Sequence, residues 1–244
     1  MTLFNECLFE FIGTMVLILL GDGVVACTTL EKSKGKGAGW IVITMGWGFA
    51  VMCGAFIAGP FTGAHLNPAV SIGLAIAGKF AWNKVLAYSV AQILGGLTGG
   101  ILVYTFYKDH FDATQDTDTK LGCFCTIPAI RHKGRNLLCE TIGTTLLVFV
   151  ILALSVRQNA SPDAGSLGFF PITMVIMSIG MSLGGTTGYA INPARDLGPR
   201  LAHALLPIKG KSHSDWSYSW VPVLGPVIGS AIAAALFLAL YPAV

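Results

Sequence analysis

Charged residues are scarce along the whole of this 244-residue sequence. Only 11% of the residues are Asp, Glu, Lys or Arg, whereas a soluble domain carries about 25%. Apolar residues make up 54% of the chain, so the composition excludes an ordinary soluble domain and indicates a membrane protein. The 15 basic residues are scattered, which argues against nucleic acid as a partner.

Catalytic and metal-binding signatures are missing as well. The sequence contains neither H-E-x-x-H nor G-x-S-x-G, and no nucleophile and base form a convincing pair. The six cysteines do not form a disulfide framework. Cys123 and Cys125 form an isolated C-x-C, for which packing, metal binding and oxidation are alternatives. We therefore expect no enzymatic activity and no cofactor.

Apolar stretches long enough to cross a bilayer recur along the entire chain. The predicted spans are residues 5–27, 40–58, 84–106, 137–157, 168–187 and 219–241. Six crossings leave both termini on the same side of the membrane. The segment 108–136 contains several Asp, Lys and Arg residues, and we expect it to form a solvated connection. These features predict an all-α membrane protein surrounded by lipid.

The sequence contains an internal repeat. Glu10-Phe-Ile-Gly-Thr matches Glu140-Thr-Ile-Gly-Thr, and an Asn-Pro-Ala motif follows each block, 57 residues later at Asn67 and 52 residues later at Asn192. Each half contains three spans, and an odd number of crossings inserts the second half upside down relative to the first. The predicted repeats are residues 1–107 and 137–244 of a single transmembrane domain, 1–244.

Each Asn-Pro-Ala motif begins a short apolar segment. Asn67 to Ala77 is 11 residues, which spans about 16 Å as a helix, or half of the roughly 30 Å hydrocarbon core. Asn is a favourable N-cap, and Pro suits the first helical position. The motifs therefore predict two half-helices that start inside the membrane. Non-helical backbone at that depth must be buried in protein or line a water-filled cavity.

Two such half-helices would aim their positive N-terminal ends at the bilayer midplane, where they repel cations and protons. The amides of Asn67 and Asn192 can donate hydrogen bonds there. Unpaired carbonyls of the preceding strands can accept them. The candidate solute contacts in these strands are Gly63, Ala64, His65, Leu66, Gly188 and Ala190. This arrangement favours a neutral hydroxylated solute, and a pair of packing kinks is the alternative.

These motifs resemble those of the major intrinsic proteins, the family of aquaporins and glycerol facilitators. The resemblance covers essentially the whole chain, through both Glu-x-x-Gly-Thr blocks, both Asn-Pro-Ala motifs and six spans. It implies an aquaporin-like fold of six transmembrane helices plus two re-entrant half-helices. It also implies a homotetramer with one pore per subunit and passive permeation. Glu10 and Glu140 would accept hydrogen bonds from the re-entrant strands, with a proton relay as the alternative.

The resemblance also indicates which solutes pass. Asp196, directly after Arg195, resembles the glycerol-conducting branch, because water-selective members usually have a small residue there. The family's narrowest ring falls on Trp47, Gly180, Tyr189 and Arg195. Gly180 stands where water-selective members usually have His, so the ring should be wide. Trp47 and Tyr189 would contact the solute carbons and Arg195 the hydroxyls. Packing of the aromatics and bracing of the loop by Arg195 and Asp196 are the alternatives.

Tyr189 departs from the family pattern, since glycerol facilitators usually have Phe there. Its hydroxyl narrows the opening and adds a polar contact. Water, urea, dihydroxyacetone and protonated lactic acid are therefore candidate solutes beside glycerol. A water-selective channel and an ion-coupled secondary transporter are the alternative functions. We expect His65 to brace its loop. We expect Asp22 to lie near one mouth, at a solvated end of the first span, with attraction or sorting of solutes there as the alternative.

The family implies cytoplasmic termini in a plasma membrane, but the distribution of basic residues disagrees with the positive-inside rule. The inner connections would hold only Lys79, Lys84 and Arg157. The outer ones would hold Lys32, Lys34, Lys36, Lys108, Lys120, Arg131, Lys133, Arg135, Lys209 and Lys211. We retain the orientation that the family implies, because that resemblance extends over the full chain.

Overall fold

The computed structural model describes residues 1–156 and 168–242. Every regular element within them is a helix, which confirms the all-α prediction. The first half contains α1 (Leu3–Thr29), α2 (Trp40–Thr62), α3 (Pro68–Ile76) and α4 (Trp82–Phe106). Two short helices follow, α5 (Lys108–Ala113) and α6 (Thr117–Gly122). The second half repeats the first with α7 (Lys133–Leu154), α8 (Phe170–Leu183), α9 (Pro193–Leu205) and α10 (Val221–Leu240).

The helix lengths separate crossing helices from half-helices. Among the described residues, five helices are long and apolar enough to cross a bilayer, namely α1, α2, α4, α7 and α10. The half-helices α3 and α9 have 9 and 13 residues, or about 14 and 20 Å. Helix α8 has 14 residues and stops before Gly184, so the predicted span 168–187 ran too far. Arg157, at the end of the predicted span 137–157, lies outside the described residues.

The two halves interlock through their half-helices. Helix α3 of the first half packs on α10 of the second, and α9 of the second half packs on α4 of the first. Close approach of α9 and α4 depends on Gly198 and Gly96. A Cβ atom on Gly198 would lie 2.7 Å from the backbone of Gly96, and one on Gly96 would lie 2.7 Å from the Ala194 carbonyl oxygen. Each half therefore completes the packing of the other.

The connection between the halves differs from the solvated loop that we expected. Phe111, Leu121 and Phe124 are fully or almost fully buried, and Phe111 and Phe124 form one apolar cluster with Leu30 and Ala202. The apolar side chains at these positions draw the segment down onto α1 and α9. The segment combines exposed charged residues with a buried apolar face, and the prediction of a solvated connection was wrong for residues 120–126.

Cys123 and Cys125 lie inside this buried part of the connection. The Cys123 sulfur donates to the Thr119 carbonyl at 3.2 Å, and the Cys125 sulfur to the Leu121 carbonyl at 3.8 Å. Burial raises the pKa of the Cys123 thiol to about 12, so it stays protonated at neutral pH. Metal ligation and oxidation both proceed from the thiolate. The contacts of both residues are those of packing side chains.

We predict that Gly198→Ala lowers the apparent midpoint of thermal unfolding by several degrees, because the added methyl group meets rigid backbone atoms of α4. Gly23→Ala on α1 is the matched control, since its Cβ would meet nothing within 4 Å and Ala favours a helix. Scanning fluorimetry of both purified variants in detergent is the measurement. Equal midpoints for both would contradict the close α9–α4 packing.

Candidate functional site at the meeting of the half-helices

Asn67 and Asn192 are the N-caps of the two half-helices, as their motifs predicted. The Asn67 side-chain oxygen accepts from the Ala69 N–H at 2.9 Å. The Asn192 oxygen accepts from the N–H groups of Ala194 and Arg195 at 2.9 and 3.2 Å. Each cap satisfies amides that an isolated helix start would leave unpaired. Both caps are buried, so both half-helices start inside the protein.

The two half-helix starts are joined by reciprocal hydrogen bonds. The Asn67 amide donates to the Ile191 carbonyl, and the Asn192 amide donates to the Leu66 carbonyl, each at 2.8 Å. The symmetry of these bonds reflects the inverted repeat. Leu66 was expected to offer its carbonyl to a solute, but that oxygen accepts from Asn192 instead. Each Asn amide retains a second N–H that can donate elsewhere.

The re-entrant strands are the non-helical segments 63–66 and 188–191, which lead to the two half-helices. Their backbone conformation is unusual. Ala64, Leu66, Tyr189 and Ile191 have φ angles of 54°, 52°, 39° and 43°, in the left-handed region. Such angles cost a residue with a side chain about 1–2 kcal/mol. Residues with these angles cannot continue a right-handed helix, so the carbonyls of the strands remain outside any helical ladder. Surrounding interactions must hold this conformation in place.

Two buried carboxylates supply those interactions. Glu10 of α1 accepts from the N–H groups of His65 and Leu66 at 3.0 and 2.7 Å. Glu140 of α7 accepts from those of Ala190 and Ile191 at 3.0 and 2.8 Å. The two carboxylates occupy equivalent places in the repeats. Each carboxylate therefore fixes one re-entrant strand from the side opposite its carbonyls.

Several strand carbonyls accept no hydrogen bond from any described residue. They belong to Gly63, Ala64, His65, Gly188, Tyr189 and Ala190. The His65 ring is held by Ser71, with 2.9 Å between the ring nitrogen Nδ1 and the hydroxyl oxygen. It also packs beside the rings of Phe80 and Tyr88. The strands thus present two short rows of available acceptors.

Two cavities meet at three of the four predicted ring residues. Trp47, Tyr189 and Arg195 line both cavities. The first, which we call the junction cavity, is lined by Asn67 and Asn192 and otherwise mostly by apolar residues. The other, the Thr126 cavity, is lined by residues including Val25, Trp40, Ile43, Thr126 and Gly188. A narrow point at these three side chains would separate the cavities and lie on any path through both.

Gly180 lies behind Tyr189 and lines neither cavity. A Cβ atom there would lie 2.8 Å from both the Tyr189 ring and the Thr44 methyl group. The Gly180 carbonyl also accepts from the indole N–H of Trp40 at 2.9 Å. The missing side chain makes room for the Tyr189 ring, so the space that we expected to be open is partly filled by the phenol.

Arg195 is held differently from what the sequence suggested. Its guanidinium lies over the Trp47 ring, 4.1 Å from the centroid, and Nη1 is 3.5 Å from the Asp22 carboxylate. Asp22 is completely buried, so placing it at a solvated helix end was wrong. Asp196 binds the Thr126 backbone N–H at 2.9 Å and Arg200 at 2.8 Å, with no contact to Arg195 among the described bonds.

Sequence reasoning therefore missed the roles of Asp22, Thr126 and Arg200. Asp22 carried a usable signal, because a carboxylate in an apolar span must face a partner or a cavity. Arg200 follows Asp196 by one helical turn, which is the spacing of an ion pair on a helix face. Thr126 carried no signal, since its contact with Asp196 joins residues 70 positions apart.

An inverted repeat with two buried, capped half-helices and two cavities that share Trp47, Tyr189 and Arg195 is typical of a polytopic membrane protein of the channel type. The chain belongs to the major intrinsic protein family, whose model matches residues 1–237. It is 56% identical over 218 residues to a probable glycerol uptake facilitator protein of Thermotoga maritima, covering 89% of this chain and 92% of the relative.

Two further proteins are similar to this chain over most of its length. Glycerol uptake facilitator protein 3 of Lactiplantibacillus plantarum is 55% identical over 222 residues, covering 90% of each chain. The X-ray structure of the aquaglyceroporin from Plasmodium falciparum superposes with a TM-score of 0.82 at 32% identity, covering 97% of this chain and 96% of that one. The aquaporin-like fold expected from the motifs is thereby confirmed.

We predict that Glu140→Gln lowers thermal stability and reduces the flux of every solute alike. The amide has one acceptor oxygen in place of two, so an N–H of Ala190 or Ile191 loses its partner at a cost of about 1–3 kcal/mol. Glu6→Gln is the matched control. It makes the same carboxylate-to-amide change at a residue of α1 whose partners are the Lys84 and Tyr88 side chains and not a re-entrant strand. A Glu140→Gln variant with unchanged stability and flux would contradict this bracing role.

Proposed function

We propose that this chain is a passive channel for glycerol and similar small neutral solutes, including water. The observation that carries the proposal is the convergence of Trp47, Tyr189 and Arg195 at the boundary between the two cavities. These side chains offer an apolar wall and a strong donor at one narrow point, which suits a small polyol. Membership of the family and the glycerol facilitators among the relatives support the same solute class.

The proposed path alternates acceptors and donors. The free carbonyls of Gly63, Ala64 and His65 on one side, and of Gly188 and Ala190 on the other, accept from solute hydroxyls. At the midpoint, the second amide N–H groups of Asn67 and Asn192 donate to the solute. A polyol would keep its carbons against the apolar wall of the junction cavity throughout. Hydrogen bonds of this kind replace those lost on leaving water.

Ions and protons are excluded in this proposal by fixed positive charge. The N-terminal ends of α3 and α9 meet at the centre and repel cations. Arg195 adds a guanidinium at the narrow point. Glu10 and Glu140 are engaged with backbone N–H groups and do not form a proton relay.

The water-selective alternative is not favoured, because Gly180 and Asp196 follow the glycerol branch. We also propose that the protein has no enzymatic activity.

The cellular setting follows from the family. We propose one channel domain, 1–244, built of repeats 1–107 and 137–244, in a plasma membrane with cytoplasmic termini. We also propose a homotetramer with one pore in each subunit. Exposed apolar residues at helical spacing on α4, Leu86, Val90 and Leu94, supply a face for lipid or a neighbouring subunit. Urea, dihydroxyacetone and protonated lactic acid are proposed as further solutes.

We predict that Gly180→His lowers glycerol permeability at least about tenfold while water flux persists, a size of effect typical of a steric misfit in a tight pocket. The imidazole would displace the Tyr189 ring toward the path, since even a Cβ comes within 2.8 Å of it. Stopped-flow light scattering of proteoliposomes measures both permeabilities.

The control for this experiment is Gly185→His, because a Cβ there meets nothing within 4 Å. It should leave both permeabilities unchanged. A parent protein that conducts water but not glycerol would contradict the proposed function itself. Equal glycerol flux in the parent and in Gly180→His would contradict the placement of the ring.

We predict that Tyr189→Phe raises the ratio of glycerol to water permeability about twofold or more. The Tyr189 hydroxyl is buried beside Gly180 and has no hydrogen-bond partner among the described residues, so it does not face the path as the sequence suggested. Its removal lets the ring move back toward Gly180, away from the path, without breaking a protein hydrogen bond. Tyr218→Phe is the matched control, since its buried hydroxyl also lacks a described partner but lies outside both cavities. An unchanged or lower ratio in Tyr189→Phe would contradict this role of the hydroxyl.

A further inference from the structure

A completely buried carboxylate lies directly behind the narrow point of the path. Asp22 is on α1, next to Gly21, whose missing side chain lets the Trp47 ring approach α1. A Cβ atom on Gly21 would lie 2.2 Å from that ring. The Arg195 guanidinium covers the Trp47 ring and reaches Asp22 through Nη1. Asp22 therefore contacts Arg195 from the side that faces the protein interior, away from the two cavities.

The Asp22 carboxylate lies 3.5 Å from Nη1 of Arg195. Among the described residues, it is the only group that accepts a hydrogen bond from the Arg195 guanidinium. The Arg195 side chain is 8% exposed and that of Asp22 is 0% exposed. The second Asp22 oxygen has no partner in the described part of the chain. A buried charge without further hydrogen bonds persists only where its one partner compensates it.

The chemistry of the pair has two consequences for the path. The carboxylate draws one end of the guanidinium fork toward α1, which leaves the other N–H groups to face a solute. It also lies behind the guanidinium, so the positively charged member of the pair is the one that faces the path. An unanchored arginine is free to move its long side chain into the opening, which obstructs glycerol more than water.

We infer that Asp22 is a positioning residue that sets the selectivity of the channel by anchoring Arg195 through the carboxylate–guanidinium contact behind the ring. The inference rests on the proposed function, because selectivity is defined only for a conducting channel. Asp22 does not line either cavity, so it acts through Arg195 and not by touching the solute.

The test compares the ratio of glycerol to water permeability in proteoliposomes of the parent, Asp22→Asn and Glu6→Gln. Asp22→Asn keeps the shape and removes the charge, and we expect the ratio to fall about tenfold, in line with the loss of a charged hydrogen bond. Glu6→Gln makes the same chemical change elsewhere on α1 and should keep the parental ratio. An unchanged ratio in Asp22→Asn would overturn the inference.

A double-mutant cycle separates positioning from a merely structural role. In an Arg195→Ala background, Asp22→Asn should leave the permeability ratio unchanged, because the group through which it acts is gone. The same fall in both backgrounds would overturn the inference. So would a folded Asp22→Asn protein that loses water and glycerol flux equally. A parent that conducts no glycerol would instead refute the proposed function.

Thermal stability gives a second readout if Asp22→Asn is not recovered as a folded channel. Arg195→Ala leaves a buried carboxylate unpaired, which is strongly destabilising. Adding Asp22→Asn should therefore raise the unfolding midpoint of Arg195→Ala. A midpoint that stays the same or falls further would show that Asp22 is not compensated by Arg195, and would overturn the inference.

Discussion

Non-helical backbone in the middle of a membrane needs a hydrogen-bond partner for each polar group, because each unpaired group costs several kcal/mol there. Two strands of this protein face that constraint, before Asn67 and before Asn192. Glu10 and Glu140 satisfy N–H groups on one side of the strands. The carbonyls on the other side accept no hydrogen bond from any described residue. The carboxylates thus hold in place the acceptors that a polyol or water would use in the proposed function.

The half-helices meet the same constraint at their starts. Each Asn caps its own helix and donates to the strand of the opposite half, so neither motif is complete without the other. This mutual dependence agrees with the packing of α3 on α10 and of α9 on α4. The centre of the fold and the centre of the proposed path are consequently the same set of contacts. A defect there affects folding and permeation together.

Much of this architecture was predictable from sequence because it repeats. The matching Glu-x-x-Gly-Thr and Asn-Pro-Ala blocks predicted two halves, and capping preferences predicted helix starts at Asn67 and Asn192. A carboxylate in an apolar span indicates that Asp22 has a partner or a cavity. That the partner is Arg195 was not predictable, because the two residues are 173 positions apart and no counterpart motif links them. The place of Gly180 behind Tyr189 depends on how the rings of Trp40 and Tyr189 pack. Spacing along the chain does not encode that packing.

The central claim is a continuous path along which neutral solutes move down their own gradient past the two half-helix starts. Glycerol flux into proteoliposomes, measured over a wide concentration range with and without an imposed proton gradient, tests it most directly. The account predicts a flux proportional to the glycerol gradient and indifferent to the proton gradient. A flux that saturates and can be driven uphill by protons would contradict it and favour an ion-coupled transporter.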